Sequence, residues 1–252
     1  MKNENPVVVK VEQWIIPTYP SPEPEEMPMF AEYRQHQGTS GNPYPNRVVS
    51  GVDREHKIDK EYDVVRMENQ YIRLAIIPEL GGRIFEAYDK TTGYDFLYRQ
   101  HVIKPALIGA YGSWISGGIE FNWPFHHRPS TFMPVDFFIE HNDDGSAVVW
   151  LSEHDPTDRT KGMVGIVLYP DTAFFETRVK LCNRTPVEHS FLWWENGAVR
   201  VNKEYQVFFP PDVTYAHHHY RRSHVTFPIA QGEYGGERFD NPTDISMHKN
   251  TH

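Results

Sequence analysis

The sequence alternates apolar and polar residues with a period of two, and turn-forming residues separate the alternating runs. The runs YIRLAII (71–77) and FFETRVKL (174–181) alternate residue by residue, which is typical of strands with one buried and one exposed face. Asp144–Gly145 lies between two strand-like runs and predicts a tight hairpin turn. No long stretch shows the 3.6-residue apolar period of an amphipathic helix. The sequence therefore predicts an all-β fold, either a sandwich or a barrel.

The 252 residues divide by composition into three predicted segments. Residues 1–60 combine a β-branched strand with a proline-rich arm, because clustered prolines exclude a regular helix or a central strand. Residues 61–230 carry the alternating runs and are predicted to form the β-sandwich domain. Residues 231–252 are polar, and we expect them to form a tail that is frayed or truncated.

The charge balance argues against several classes of partner. Lys and Arg number 25 against 34 Asp and Glu, which gives a formal net charge of −9. No run of basic residues exceeds Arg221–Arg222, so the sequence lacks the basic stripe that a nucleic-acid backbone or an anionic membrane surface requires. We therefore expect neither a nucleic-acid partner nor a membrane partner.

The single cysteine and the N-terminal residues bear on the compartment. Cys182 has no second cysteine with which to form an intrachain disulfide, so nothing requires an oxidising environment. The N-terminal residues lack the apolar core of a signal peptide, and residues 102–119 are interrupted by Lys104, Pro105 and several glycines. We expect a cytoplasmic protein, and we predict that Cys182 is a buried strand residue rather than a nucleophile.

Four groups of residues carry side chains suited to chemistry. Arg83 follows directly after a double glycine that permits a tight bend. A second group packs Glu120, Asn122, Trp123, His126 and His127 into eight positions. A third contains Trp193, Trp194, Glu195 and Asn196, and a fourth contains His217, His218 and His219. Sugar sites combine a flat aromatic side chain for the C–H face with polar groups for the hydroxyls, and these groups supply that mixture.

Each group also has an ordinary structural explanation. The first fits a hairpin corner with a surface arginine, and the second fits a loop anchored by tryptophan. The third fits a tryptophan between two sheets with a solvated glutamate. In the third group, strand alternation places Trp193 and Glu195 on one face and Trp194 and Asn196 on the other. A zinc site formed by His217 and His219 with His126 or His127 is conceivable, but we predict no metal and no cofactor.

Taken in order, these segments resemble the galactose mutarotase-like superfamily. AIIPELGGRIFEAYDKTTGYDFLY (75–98) is similar to the opening unit of that superfamily, and SGGIEFNWPF (116–125) is similar to the following segment that brings polar residues into the sugar cleft. RVKLCNRT (178–185) and HSFLWWENGAVRV (189–201) resemble the long strand, turn and return strand that follow. The resemblance spans roughly residues 60–225 and is closest to the uncharacterised mutarotase-like domain found ahead of tetratricopeptide repeats in large bacterial proteins.

The resemblance implies a β-supersandwich that binds sugars in a cleft on one broad sheet. In the epimerases of the superfamily, a His acts as general acid and a Glu as general base on the anomeric hydroxyl and the ring oxygen. Arg83 falls at the position of a substrate-contacting Arg. The His-aromatic-Asn pattern of the return strand is replaced here by Trp-Trp-Glu-Asn. Because the general base of the superfamily lies on a later strand, we expect the chain to be a truncated sandwich.

The leading functional hypothesis is a carbohydrate-binding domain. If it is catalytic, as a glycoside hydrolase or an aldose epimerase, Glu120 and Glu195 are the candidate carboxylates, and a separation of about 5–5.5 or 6.5–9.5 Å would favour a retaining or an inverting hydrolase. The predicted substrate-binding residues are Arg83, Asn122, Trp123, His126, His127, Trp194, Asn196 and His217. The alternatives are a non-catalytic interaction domain within a larger repeat-containing protein and, more distantly, a metal-dependent cupin-like oxidase. The sequence assigns no oligomeric state.

Overall fold

A computed structural model describes residues 5–23, 49, 51–109, 112–124, 129–156, 158–218, 223–227, 232–234 and 237–239. The chain divides into two compact units, Met1–Val199 and Arg200–His252. The described part of the first unit forms strands β1 (Val8–Thr18), β2 (Ile58–Glu68), β3 (Ile72–Ile77), β4 (Arg83–Asp89), β5 (Tyr94–Asp95), β6 (Ala106–Gly109), β7 (Gly112–Trp114), β8 (Ile119–Asn122), β9 (Asp136–His141), β10 (Ala147–His154), β11 (Thr160–Leu168), β12 (Phe175–Asn183) and β13 (Trp194–Gly197). The described part of the second unit forms two hairpins, β14 (Tyr215–His218) with β15 (Ser223–Thr226) and β16 (Gly232–Tyr234) with β17 (Glu237–Phe239).

Two antiparallel sheets form the body of the first unit. The large sheet has seven strands in the order β1-β2-β3-β4-β8-β13, with β5 paired to β4, and the small sheet has four in the order β12-β11-β10-β9. Strands β6 and β7 form a separate hairpin. The helical elements among the described residues are the short 3₁₀ helices Pro78–Leu80 and Pro129–Phe132. The predicted all-β sandwich is confirmed.

The main hydrophobic core lies between the two sheets. The large sheet contributes residues of β2, β3, β4 and β8, including Leu74, Ile84 and Phe121, and the small sheet contributes residues including Leu151 and Ile166. We call the face of the large sheet that packs against the small sheet its inner face. Alternation on each strand assigns these side chains to that face, which is why the period-two pattern predicted the sandwich.

The opposite, outer face of the large sheet is also covered by apolar side chains. Val64, Ile77 and Phe85, each one position away from an inner-face residue, form a second buried cluster with Ile103 and Ile115. The segments around β6 and β7 therefore cover part of the outer face. Because the central strands are buried on both sides, they contain continuous apolar runs such as residues 74–77.

One expectation concerns the single cysteine. The prediction that Cys182 is buried is wrong, because this cysteine is exposed on β12. Strand β12 lies at the edge of the small sheet, and Cys182 shares a face with Arg178 and Lys180 rather than with Leu181.

In the described part of the chain, no helix is both long and apolar enough to cross a membrane.

Candidate functional site

Strands β4 and β8 bring Arg83 next to Glu120. Ile84 pairs with Ile119 across the two strands, so the residues that flank this pair, Arg83 and Glu120, both lie on the outer face. The close approach depends on Gly118, which has a φ of 66° and whose Cβ, if present, would overlap the carbonyl oxygen of Ile84. A glycine is therefore required where the two segments meet.

Glu120 is the centre of a buried hydrogen-bond network. Trp114 Nε1 donates to both carboxylate oxygens of Glu120, at 3.1 and 3.0 Å, and Asn196 Nδ2 donates to Oε1 at 3.0 Å. Arg83 Nη2 lies 3.5 Å from Oε2, and Arg83 Nη1 donates to the carbonyl oxygen of Gly117. The Arg83 and Glu120 side chains are each only 2% exposed. A carboxylate at this depth needs such compensation, because burial of a lone charge is costly.

Strand β13 adds its own side chains to this face through its register with β8. Asn196 lies opposite Glu120, and Trp194 lies opposite Asn122. Opposed residues of an antiparallel pair, and residues two apart on a strand, share a face. Trp194 is half-buried and Asn196 is exposed, so they are the parts of the group that a ligand can reach.

We call this group the outer-face polar cluster. It is defined by six residues: Arg83, Trp114, Glu120, Asn122, Trp194 and Asn196. Five of these were predicted from the sequence as site residues. Trp114 was not, because it belongs to the β6–β7 hairpin and only the fold carries its indole to Glu120.

Glu195 does not join the cluster. It lies opposite Phe121 in the β8–β13 register, and Phe121 belongs to the core between the sheets. Glu195 therefore projects from the other face of the large sheet than Glu120, and its side chain is exposed. The two carboxylates do not flank a common space. They are therefore not arranged like the carboxylate pair of a glycoside hydrolase, which flanks one glycosidic bond.

Trp123 is likewise part of the core rather than a platform for sugar. Its side chain is buried, and its indole packs so closely against Gly162 of β11 that a Cβ there would overlap it. The indole also stacks on Trp193, with ring centroids 5.7 Å apart and an interplanar angle of 16°. Trp193 in turn packs against the core between the two sheets.

The histidines of the predicted site cannot be placed in the cluster. His126 and His127 lie outside the described residues. His217 belongs to β14 in the second unit, and its side chain also lies outside the described part. Within the described residues, no group of three or more His, Cys, Asp or Glu side chains is arranged to hold a metal ion.

The comparisons with known proteins give a structural relative and a family. The chain is similar to the crystal structure of a TPR-domain containing protein from Parabacteroides distasonis ATCC 8503, with a TM-score of 0.68 and 23% sequence identity. The similarity covers 78% of this chain and 33% of that protein, so the chain spans about a third of the length of its relative. At this identity the likeness establishes the fold. Residues 40–242 match the family described as Domain of unknown function (DUF5107), and the chain therefore belongs to that family.

Proposed function

We propose that the chain is a carbohydrate-binding domain of mutarotase-like type, which binds sugar at the outer-face polar cluster without turning it over. The observation that supports it most is the pairing of a half-buried Trp194 with an exposed Asn196 above a buried, fully hydrogen-bonded Glu120. An indole offers a flat apolar surface to the C–H face of a sugar, and amides offer donors and acceptors to its hydroxyls. Saccharide recognition needs these two kinds of contact together.

The environment of Glu120 supports binding over catalysis. Both of its carboxylate oxygens already share the single indole N–H of Trp114, and one accepts from Asn196 as well. A general acid or base must reach the substrate proton, directly or through one water. A carboxylate that is 2% exposed beneath two donors acts instead as a positioning residue, which fixes the Asn196 amide and the Trp114 indole. The second candidate carboxylate, Glu195, lies on the other face of the sheet.

Direct titration with sugars tests the binding proposal. Galactose, glucose, N-acetylglucosamine and their short oligomers are added to the full chain, and binding is followed by calorimetry and by tryptophan fluorescence. We expect at least one saccharide to bind, and we expect Trp194→Ala to weaken that binding about 10- to 100-fold, the scale of one buried aromatic contact. Phe138→Ala removes an aromatic that is 65% exposed on the small sheet and serves as the matched control. If no saccharide binds with a Kd below about 10 mM, or if Trp194→Ala binds like the parent chain, the proposal is wrong.

A rate measurement tests the absence of turnover. The optical rotation of freshly dissolved α-galactose is followed with and without the chain, and release of nitrophenol is followed from nitrophenyl glycosides. We expect neither rate to rise above that of buffer. An increase that is lost in Glu120→Gln, in a variant shown to be folded by circular dichroism, would assign a catalytic role to Glu120 and overturn the binding-only proposal.

The alternative of a protein-interaction domain makes a different prediction. The structural relative is described as a TPR-domain containing protein, and a domain next to such repeats could serve to contact protein rather than sugar. In that case saccharides fail to bind and Trp194→Ala changes nothing in the titrations above. The same experiment therefore separates the two functions.

A further inference from the structure

A cleft of about 430 Å³ lies beside the outer-face polar cluster. Its floor includes Ile103 and Ile115, which belong to the apolar cluster on the outer face of the large sheet. Its polar lining residues are Arg54, Gln100, Lys104 and Ser116. The volume falls within the range of roughly 300–1,000 Å³ that is usual for small-molecule sites.

The cleft and the polar cluster share one turn of the chain. Ser116 lines the cleft and accepts a hydrogen bond from Gln100 Nε2 at 2.6 Å. The next residue, Gly117, accepts a hydrogen bond from Arg83 through its carbonyl oxygen. A ligand in the cleft is therefore separated from the Arg83–Glu120 pair by the backbone of a single turn, and the two sites are neighbours on one side of the sheet.

The described lining of the cleft carries a net positive charge. The described part of its lining includes two cations, Arg54 and Lys104, and no carboxylate. Among the described residues neither cation forms an ion pair, whereas several basic residues of the first unit do, as in the pairs Lys60–Glu79, Arg66–Glu68, Arg73–Glu86 and Lys90–Glu68. In a chain with a net charge of −9, two cations that line one cleft, with no carboxylate among its described lining residues, form a local positive potential suited to an anion.

The two cations differ in what they offer. The guanidinium of Arg54 is a planar fork that can bind a carboxylate or a phosphate with two parallel hydrogen bonds. Lys104 is a point charge, and its ammonium lies 4.5 Å from the centroid of the Tyr19 ring, a contact that restrains the side chain beside the cleft. Gln100 and Ser116 add an amide and a hydroxyl, which are the groups that recognise sugar hydroxyls.

We propose that this cleft binds the anionic group of an acidic saccharide, either a uronic acid carboxylate or a sugar phosphate, and that the saccharide of this domain is therefore acidic rather than neutral. This proposal rests on the proposed function, because it names the class of saccharide that binds on the same side of the sheet. Carboxylate and phosphate share the chemistry that Arg54 and Lys104 recognise, and the ligands tested distinguish between them.

The experiment compares matched acidic and neutral sugars on the full chain. Galacturonate is titrated against galactose, and glucose 6-phosphate against glucose, with inorganic phosphate as the probe without a sugar ring. We expect one acidic sugar to bind at least about 10-fold more tightly than its neutral partner, and we expect this advantage to shrink as salt is raised, because screening weakens charge contacts near the surface. The acidic sugar that binds more tightly identifies the anionic group.

Variants then locate the anion contact. Arg54→Gln and Lys104→Gln are each expected to lower affinity for the acidic sugar about 5- to 20-fold, while affinity for the neutral sugar changes less than about 2-fold. Lys10→Gln, an exposed cation on β1 away from the cleft, is the matched control and should change neither. Equal affinity for acidic and neutral sugars, or an equal loss in the Lys10 control, overturns the inference.

The outcomes separate this inference from the function on which it rests. Binding of neutral sugar that depends on Trp194, with no gain from a negative charge, supports the proposed function and overturns the acidic assignment. Binding of inorganic phosphate that depends on Arg54 and Lys104, with no affinity for any sugar, overturns both the proposed function and the saccharide assignment. Tight binding of an acidic sugar that depends on both Trp194 and Arg54 supports both.

Discussion

Replacing Glu120 with glutamine removes one charge and keeps the shape of the side chain. In the native network, Oε1 faces Asn196 Nδ2 and Trp114 Nε1, and Oε2 faces Arg83 Nη2 and the same indole nitrogen. All these partners are donors, whereas a glutamine amide has one acceptor and one donor end. In either orientation, the new NH₂ group therefore points at N–H groups, and the buried Arg83 guanidinium loses the carboxylate beside it.

The expected cost is large for a substitution of nearly equal volume. Removing one partner of a buried ion pair costs about 3–5 kcal/mol of unfolding free energy, because the remaining charge stays buried without its counter-ion. Native domains are stable by only about 5–15 kcal/mol, so Glu120→Gln is expected to remove about a fifth or more of the stability. At an m-value of about 2 kcal/mol per M urea, the unfolding midpoint should fall by roughly 1.5–2.5 M.

Urea denaturation followed by tryptophan fluorescence and by circular dichroism measures this shift. Glu195→Gln makes the same chemical change one strand away, at an exposed position on the other face of the sheet, and should change the free energy of unfolding by less than about 0.5 kcal/mol. The double variant Arg83→Leu with Glu120→Leu removes both charges and should be less destabilised than Glu120→Leu alone. Equal midpoints for Glu120→Gln and Glu195→Gln would refute the reasoning.

Three further predictions concern other parts of the first unit. Gly162→Ala should cost about 1–3 kcal/mol in thermal or urea unfolding, because its methyl group overlaps a buried indole, whereas a methyl group at Gly51 would lie 3.9 Å from its nearest neighbour and Gly51→Ala should be nearly neutral. Cys182 is exposed and should react with a thiol reagent in the native state as fast as in urea. A labelling rate that is much slower in the native state would contradict its exposed position. The pKa of Asp89 is lowered to about 2, chiefly by the hydroxyl of Thr91, so its contribution to stability is present above about pH 4 and is lost as the pH falls towards 2; stability measured over this range should depend less on pH in Asp89→Asn.

Strand alternation in the sequence was enough to predict the sandwich and to separate the two faces of the last strand of the large sheet. It correctly placed Trp194 and Asn196 together and Glu195 on the opposite face. It did not indicate which of these faces meets Glu120, because that depends on the register of β8 against β13, two strands more than seventy residues apart. A shift of one residue would exchange the faces, so the sequence left both glutamates as candidates.

Other misplacements had different causes. Trp114 was missed because it lies on a short hairpin outside the large sheet, where no local pattern reports its contact with Glu120. Trp123 was assigned to sugar because a flat aromatic side chain among polar groups suits the C–H face of a sugar, but Gly162 on another strand leaves room for its indole inside the protein. For Cys182, the alternation itself already favoured the polar face of β12, which the local apolar neighbour Leu181 obscured.

The orientation of the Asn196 amide links the buried network to the surface that would bind sugar. A carboxylate only accepts hydrogen bonds, so the NH₂ group of Asn196 must be the end that faces Glu120. The carbonyl end is thereby directed away from the carboxylate, where it can accept from a sugar hydroxyl. Since the amide is fixed before a ligand arrives, little side-chain entropy remains to be lost on binding. The buried charge pair, which is costly for stability, is then explained by the geometry that it imposes on an exposed residue next to Trp194.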